Sequence, residues 1–330
     1  MLNCRRGATV NAQPGTDRST VVAAGSAVTE PEAVGALGRL KRRGTQGNVG
    51  AIGLVLAAGL SVQFGAGLAV SLMPRAGAVG VVTLRLVAAA LVLLVICRPK
   101  LRGHSRRDWG TVLAFGLSLA AMNGLFYQAV DRIPLGPAVT LEVLGPLALS
   151  VFATRRLVNL LWAALALLGV FLLGGAGGFG SLDLVGAAFA LGAGAMWAAY
   201  IVFSAKTGQR FPSADGLALA MAVAAVVMLP LGIAEAGSKL LVPTTLLLGI
   251  GVAVLSSVLP YTLELLALRR LPASTFAIMM SLEPAMAAAA GFLLLDQGLA
   301  VAQVIAIGLV IVASMGAVRT QVGRNRVGVG

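Results

Sequence analysis

Charge is what this sequence has least of. Only 11% of the 330 residues are charged, with acids the scarcest at 12 against 25 Lys and Arg, a formal net charge of +13. Soluble globular chains carry about a quarter charged residues, so an ordinary cytosolic enzyme is excluded. A single histidine, His104, and two cysteines, Cys4 and Cys97, leave no disulfide framework, zinc cluster or Cys/His dyad of useful spacing. No Walker sequence is present, so energy coupling through bound ATP is excluded as well. What fills the space is apolar: 58% hydrophobic residues and a mean hydropathy of +0.94. Such a chain is too apolar for disorder over most of its length and reads as a multi-spanning membrane protein.

Residues 1–48 differ from the rest. They hold Pro14, Pro31 and the basic cluster Arg39, Lys41, Arg42, Arg43, without an apolar core segment. This stretch reads as a disordered cytoplasmic tail and not as a signal peptide. From Val49 onward, apolar runs of about 20 residues alternate with short polar breaks, the length that crosses ~30 Å of hydrocarbon at 1.5 Å per residue. The runs predict ten spans: 49–70, 77–97, 109–130, 134–153, 158–176, 182–203, 214–233, 243–266, 273–295 and 298–318. Lipid leaves no partner for an open backbone, so they are helices; a β-barrel would show alternating segments of about ten residues.

The basic residues sort themselves on this topology. Eighteen Lys and Arg fall in alternate segments around 39–43, 98–107, 155–156, 206–210, 269–270 and 319–326, whereas the opposite side has Arg75, Arg132 and Lys239. By the positive-inside rule the richer side is cytoplasmic and both termini are inside. Spread over six segments, this charge forms no nucleic-acid stripe.

A shift of 138 residues lays Leu125, Ala129, Arg132, Pro134, Leu144 and Pro146 on Leu263, Ala267, Arg270, Pro272, Leu282 and Pro284. Five spans per copy is an odd number, so the copies are inverted, an arrangement common in secondary transporters. The expected fold is therefore an all-α membrane protein of ten transmembrane helices in two inverted five-helix repeats, 49–178 and 181–319, with a short tail at 320–330.

Ionisable side chains inside such spans cost roughly 2.5–3.5 kcal/mol at mid-bilayer on insertion scales, and each calls for a reason. Arg85 lies mid-way through the second span, Glu142 in the fourth, Glu283 in the ninth and Glu264 toward the cytoplasmic end of the eighth. They make a polar pathway between the halves, or lock helices together as ion pairs. Pro146 lacks an N–H, freeing the carbonyl of Glu142 four residues back; Pro284 does the same for Met280. These two prolines are the expected helix breakers. Gln63, Asn123, Tyr127, Trp197 and Tyr261 add hydrogen-bonding groups, with Gln128 and Tyr200 also polar; for Tyr200 an interfacial anchor is a competing role. Gly186, Ala190, Gly194 and Ala198 recur every four residues and give one smooth face for helix contact. Gly175, Gly177 and Gly180 match G-x-G-x-x-G, but no strand precedes them, so no dinucleotide site is expected.

Several stretches resemble the EamA family of the drug/metabolite transporter superfamily, in its threonine/homoserine exporter branch. They are Gln63–Ala69 and Gly80–Leu86, Met122–Tyr127, Pro134–Val139 leading into Leu141–Pro146, Leu191–Tyr200, Leu259–Glu264 and Ser281–Pro284. The resemblance implies ten helices, two EamA repeats and export of small amino acids at the cytoplasmic membrane. Two departures stand out: residues before 48 have no family counterpart, and Asp296-Gln297 stands where Gly-Glu is the family's pattern. The resulting expectation is a proton-coupled exporter without cofactor or metal, working in the lipid bilayer. Glu142 would trade a proton for the substrate ammonium, while Arg85 would hold its carboxylate or partner Glu142 in the empty state. An amphipathic drug or another metabolite is the alternative cargo. A membrane-embedded enzyme is disfavoured, because the one histidine falls in a cytoplasmic loop. Nothing in the residues sets an oligomeric state.

Overall fold

The computed structural model describes residues 30–101, 103–154, 157–175, 183–211, 215–268 and 279–327. Among them no strand occurs, and nearly everything is helical. The elements are α1 (Glu30–Cys97), α2 (Arg106–Val130), α3 (Leu135–Glu142), α4 (Leu144–Thr154), α5 (Leu157–Gly175), α6 (Leu184–Gly208), α7 (Asp215–Ala236), α8 (Pro243–Ala253), α9 (Leu259–Leu268), α10 (Glu283–Leu295) and α11 (Val301–Val327). A 3-10 turn, Gly237–Leu241, follows α7, and a π turn, Val254–Val258, joins α8 to α9.

Five stretches are long and apolar enough to cross a bilayer: Gly50–Cys97, Arg106–Val130, Leu184–Gly208, Asp215–Leu241 and Val301–Arg319. The first would be about 72 Å long if straight. It is broken at Gly77, whose φ of 70° and ψ of 167° are non-helical, so the expected first and second spans are two arms of one element. Shorter apolar helices cover Leu135–Leu149, Leu161–Leu172, Pro243–Val258 and Glu283–Leu295. Large apolar side chains stay on the outside, among them Leu91, Leu167, Phe171, Val226, Leu247 and Phe292. An exposed apolar belt of that extent suits lipid and not water.

Small residues set how closely the helices approach. A Cβ on Gly145 would collide with the carbonyl of Gly194, and one on Gly194 with the carbonyl of Glu142. Hence α6 lies hard against the junction of α3 and α4, and Gly186 of the same four-residue series faces Arg132 and Ile133. The two arms of α1 run through the centre, packing on α7, α8, α9 and α10. Thr83 fastens the second arm to α7 by donating to the Met228 carbonyl at 2.9 Å. On the other flank, α2 packs on α6 and α7, and α5 on α11.

Candidate functional site

Three interruptions of helical hydrogen bonding converge on the middle of the bundle. The fourth apolar run divides into α3, which ends at Glu142, and α4, which begins at Leu144 with Pro146 in its first turn. The ninth divides similarly: Met279 and Met280 are helical, Ser281 and Leu282 form a turn, and α10 starts at Glu283 with Pro284 as its second residue. Pro284 is thus in a first turn, where the missing N–H has no helical acceptor to lose. The break at this level is the turn itself, rather than a kink within one helix. Glu283 occupies the first position of α10, where a negative side chain complements the helix dipole.

At the third interruption, the π turn, the freed acceptors are taken by side chains of α1. Pro260 has no N–H to offer the carbonyls four and five residues before it, those of Ser256 and Leu255. Both are claimed by α1: Ser61 Oγ donates to the Leu255 carbonyl at 2.7 Å, and Arg85 Nη2 to the Ser256 carbonyl at 3.3 Å. Each arm of α1 therefore has one side chain tied to this turn.

These elements enclose a cavity of about 600 Å³, within the usual range for small-molecule sites. Glu142, Glu264, Glu283 and Arg85 all line it, as do Gln63, Asn123, Trp197 and Pro146. Tyr127 stands behind the wall, 1% exposed. Its hydroxyl accepts from Arg85 Nη1 at 3.2 Å, and its ring centroid is 5.7 Å from the guanidinium carbon. Asn123 Nδ2 donates to its own helix at Leu119, leaving the amide oxygen for other partners. The side chain of Tyr261 lies outside the described residues. Gln128 points elsewhere, accepting from Arg132 Nη1 at 2.7 Å, while Tyr200 lines the cavity and packs its ring against Phe115 at 5.2 Å.

The rest of the wall is apolar, including Met122, Phe126, Val139 and Met280, with three serines, Ser256, Ser281 and Ser314. None of the serines stood out in the sequence, since a serine in an apolar helix commonly bonds its own backbone. Pro260 was the available signal for Ser256. No group of three His, Cys, Asp or Glu among the described residues is placed to hold a metal. Buried acids, one guanidinium and neutral donors and acceptors can bind a small molecule carrying both charges.

Apolar helices closed around a charged, backbone-interrupted cavity define a multi-pass membrane transporter. The comparisons with known proteins agree. The EamA-like transporter family profile matches residues 184–319. The threonine/homoserine exporter RhtA of Salmonella typhimurium (strain LT2) is 44% identical over 271 residues, covering 81% of this chain and 90% of that protein. RhtA of Escherichia coli (strain K12) is 43% identical over 268 residues, with the same coverage. A solved crystal structure shares the fold with a TM-score of 0.54 at 18% identity, over 83% of this chain and 98% of its own. The chain belongs to the EamA-like transporter family, and it is a transporter, not an enzyme.

Proposed function

We propose that this protein exports small amino acids of the threonine and homoserine kind across the cytoplasmic membrane, driven by the proton gradient. One observation supports the reading above the others: the cavity combines Arg85 with Glu142, Glu264 and Glu283 on one surface. A zwitterion needs both signs. Its carboxylate matches the guanidinium, which Tyr127 and the Ser256 carbonyl hold in place, and its ammonium matches a carboxylate. The names of the RhtA relatives point to the same cargo. A lipophilic drug would use the Met and aromatic part of this wall but would bring no pair of opposite charges to match its guanidinium and its carboxyl groups.

In this scheme Glu142 gives up a proton when the ammonium arrives and takes one back when it leaves. It stands at the end of α3, beside the gap before α4, where small rotations of the two half-helices change its surroundings. The ten-helix, inverted-repeat arrangement with both termini in the cytoplasm belongs to the same proposal. Its support is the paired breaks near 142–144 and 281–283, which fall at equivalent places under the 138-residue shift. The two halves would rock around the cavity between them.

The test is efflux from loaded vesicles under an imposed pH gradient. Glu142→Gln is expected to abolish gradient-driven export while the protein remains in the membrane; efflux at the native rate would remove Glu142 from the mechanism. Cells expressing the native chain should show lower internal and higher external threonine and homoserine than cells without it.

A further inference from the structure

We propose that Glu142 and Glu283 are a carboxyl pair holding one proton between them, and that the substrate ammonium displaces this shared proton when it binds. The inference rests on the export reading above and deepens it: the proton exchanged there belongs to two helices and not to Glu142 alone.

The two acids stand at facing ends of an antiparallel helix pair. A Cβ on Gly291 of α10 would lie 3.6 Å from that of Leu135 in α3, and one on Gly136 would lie 3.1 Å from that of Ala288. Contact therefore steps forward along α3 as it steps back along α10. From Gly136, α3 runs on to its last residue, Glu142; from Ala288, α10 leads back to its first, Glu283. At 1.5 Å per residue these stretches are about 9 Å and about 7.5 Å long, so both acids arrive at nearly the same level. Both line the cavity, and the Glu283 carboxyl is within electrostatic range of that of Glu142.

The other charges nearby come from α1 and α9. Arg85 acts on Glu142, and Glu264 acts on Glu283, adding to the repulsion within the pair. Among the described residues, α2, α6 and α11 give the wall neutral side chains, Asn123, Tyr200 and Ser314 among them. Two carboxyl groups that share a buried site resist ionising together, and their protons belong to the pair rather than to either residue. An ammonium changes this balance. It carries a positive charge and three N–H donors, and an ionised carboxylate only accepts. When it enters between the two acids, the O–H bond of the shared acid breaks and its proton passes to water in the cavity. The ammonium keeps all three of its own protons. Release of the substrate on the far side reverses the step, with one proton taken back from the water there.

Two measurements on one variant test the pair. In micelles with a pH-indicating dye, threonine added to the native protein is expected to release protons. In vesicles without a pH gradient, internal threonine should exchange for labelled threonine outside. Glu283→Gln leaves Glu142 as a single carboxylate beside Arg85. It is expected to exchange threonine still, at a lower rate, while losing both proton release and gradient-driven efflux. Proton release from Glu283→Gln at the native level overturns the shared proton and leaves Glu142 as its one carrier, with export intact. Loss of exchange as well makes Glu283 a ligand or a support of the fold and also overturns the proposal. Absence of threonine and homoserine efflux from the native protein overturns the export reading itself.

Discussion

Replacing Gly77 by alanine tests the break that makes one continuous helical element into two arms. With φ at 70° and ψ at 167°, Gly77 occupies backbone space that is essentially confined to glycine, and a side chain there costs about 1–3 kcal/mol. A second penalty comes from Glu235. Its Oε2 accepts from the Gly80 N–H at 2.8 Å, capping the second arm, and a Cβ on Gly77 would fall about 2.5 Å from the carboxylate. Glu235 is exposed and free to swing aside, so this collision costs only the cap, about 0.3–1 kcal/mol for a charge at a helix N-terminus. The backbone conformation is therefore the larger effect. Unfolding in mixed micelles should show Gly77→Ala destabilised by about 1.5–4 kcal/mol and Glu235→Ala by no more than about 1 kcal/mol. The double variant should cost less than the sum, because the cap cannot be lost twice. Gln63 and Arg85 lie on opposite arms, so efflux should also fall in Gly77→Ala. Equal costs for the two single changes, or a Gly77→Ala protein within ~0.5 kcal/mol of native, would refute the assignment of the break to Gly77.

Gly194→Ala pushes a methyl group into the Glu142 carbonyl, a backbone atom that cannot rotate away, and should cost about 1–3 kcal/mol in the same unfolding assay and reduce efflux. Gly192→Ala meets only Leu125 Cδ1 at 3.3 Å and should be tolerated. Tyr127→Phe keeps the buried ring but removes the oxygen that accepts from Arg85; bonds to charged groups contribute about 1.5–3 kcal/mol, so half-saturation for threonine should rise at least several-fold with membrane abundance unchanged. Asp296→Gly should raise stability by up to about 1 kcal/mol, since Asp296 has φ 52° at the end of α10, a conformation glycine adopts without steric penalty. Gln297→Ala should lower stability by about 1 kcal/mol, because Gln297 Oε1 accepts from the Leu135 N–H at the start of α3 at 3.0 Å.

These last two residues show what was and was not legible in the chain. Asp296-Gln297 registered as a departure from a family pattern, but its consequence, a strained helix end whose next side chain caps a different helix, depends on α10 meeting α3. The membrane character, by contrast, was written in composition, because apolar length and scarce charge act locally along each helix. The same holds for Arg85, Glu142, Glu264 and Glu283. A charge in an apolar run is expensive wherever the helix packs, so cost alone marks it, and the structure gathers all four at one cavity. Neutral groups carry no such mark. Ser256 costs little in an isolated helix and acquires a role only through its neighbours, the Pro260 that frees its carbonyl and the Arg85 that claims it. The proline rule used for Pro146 could have been applied to Pro260, where it leads from a missing N–H to the guanidinium. Pro146 and Pro284 both fall in the first turn of a helix, so a proline marks where helical bonding is interrupted, but whether it kinks a helix or begins one is decided by the turn before it. A cavity in the middle of this bundle follows from those interruptions together. Half-helices that begin or end at 142–144, 254–258 and 281–283 all contribute side chains to the cavity wall, and the glycine contacts of α6 fix the first of these breaks.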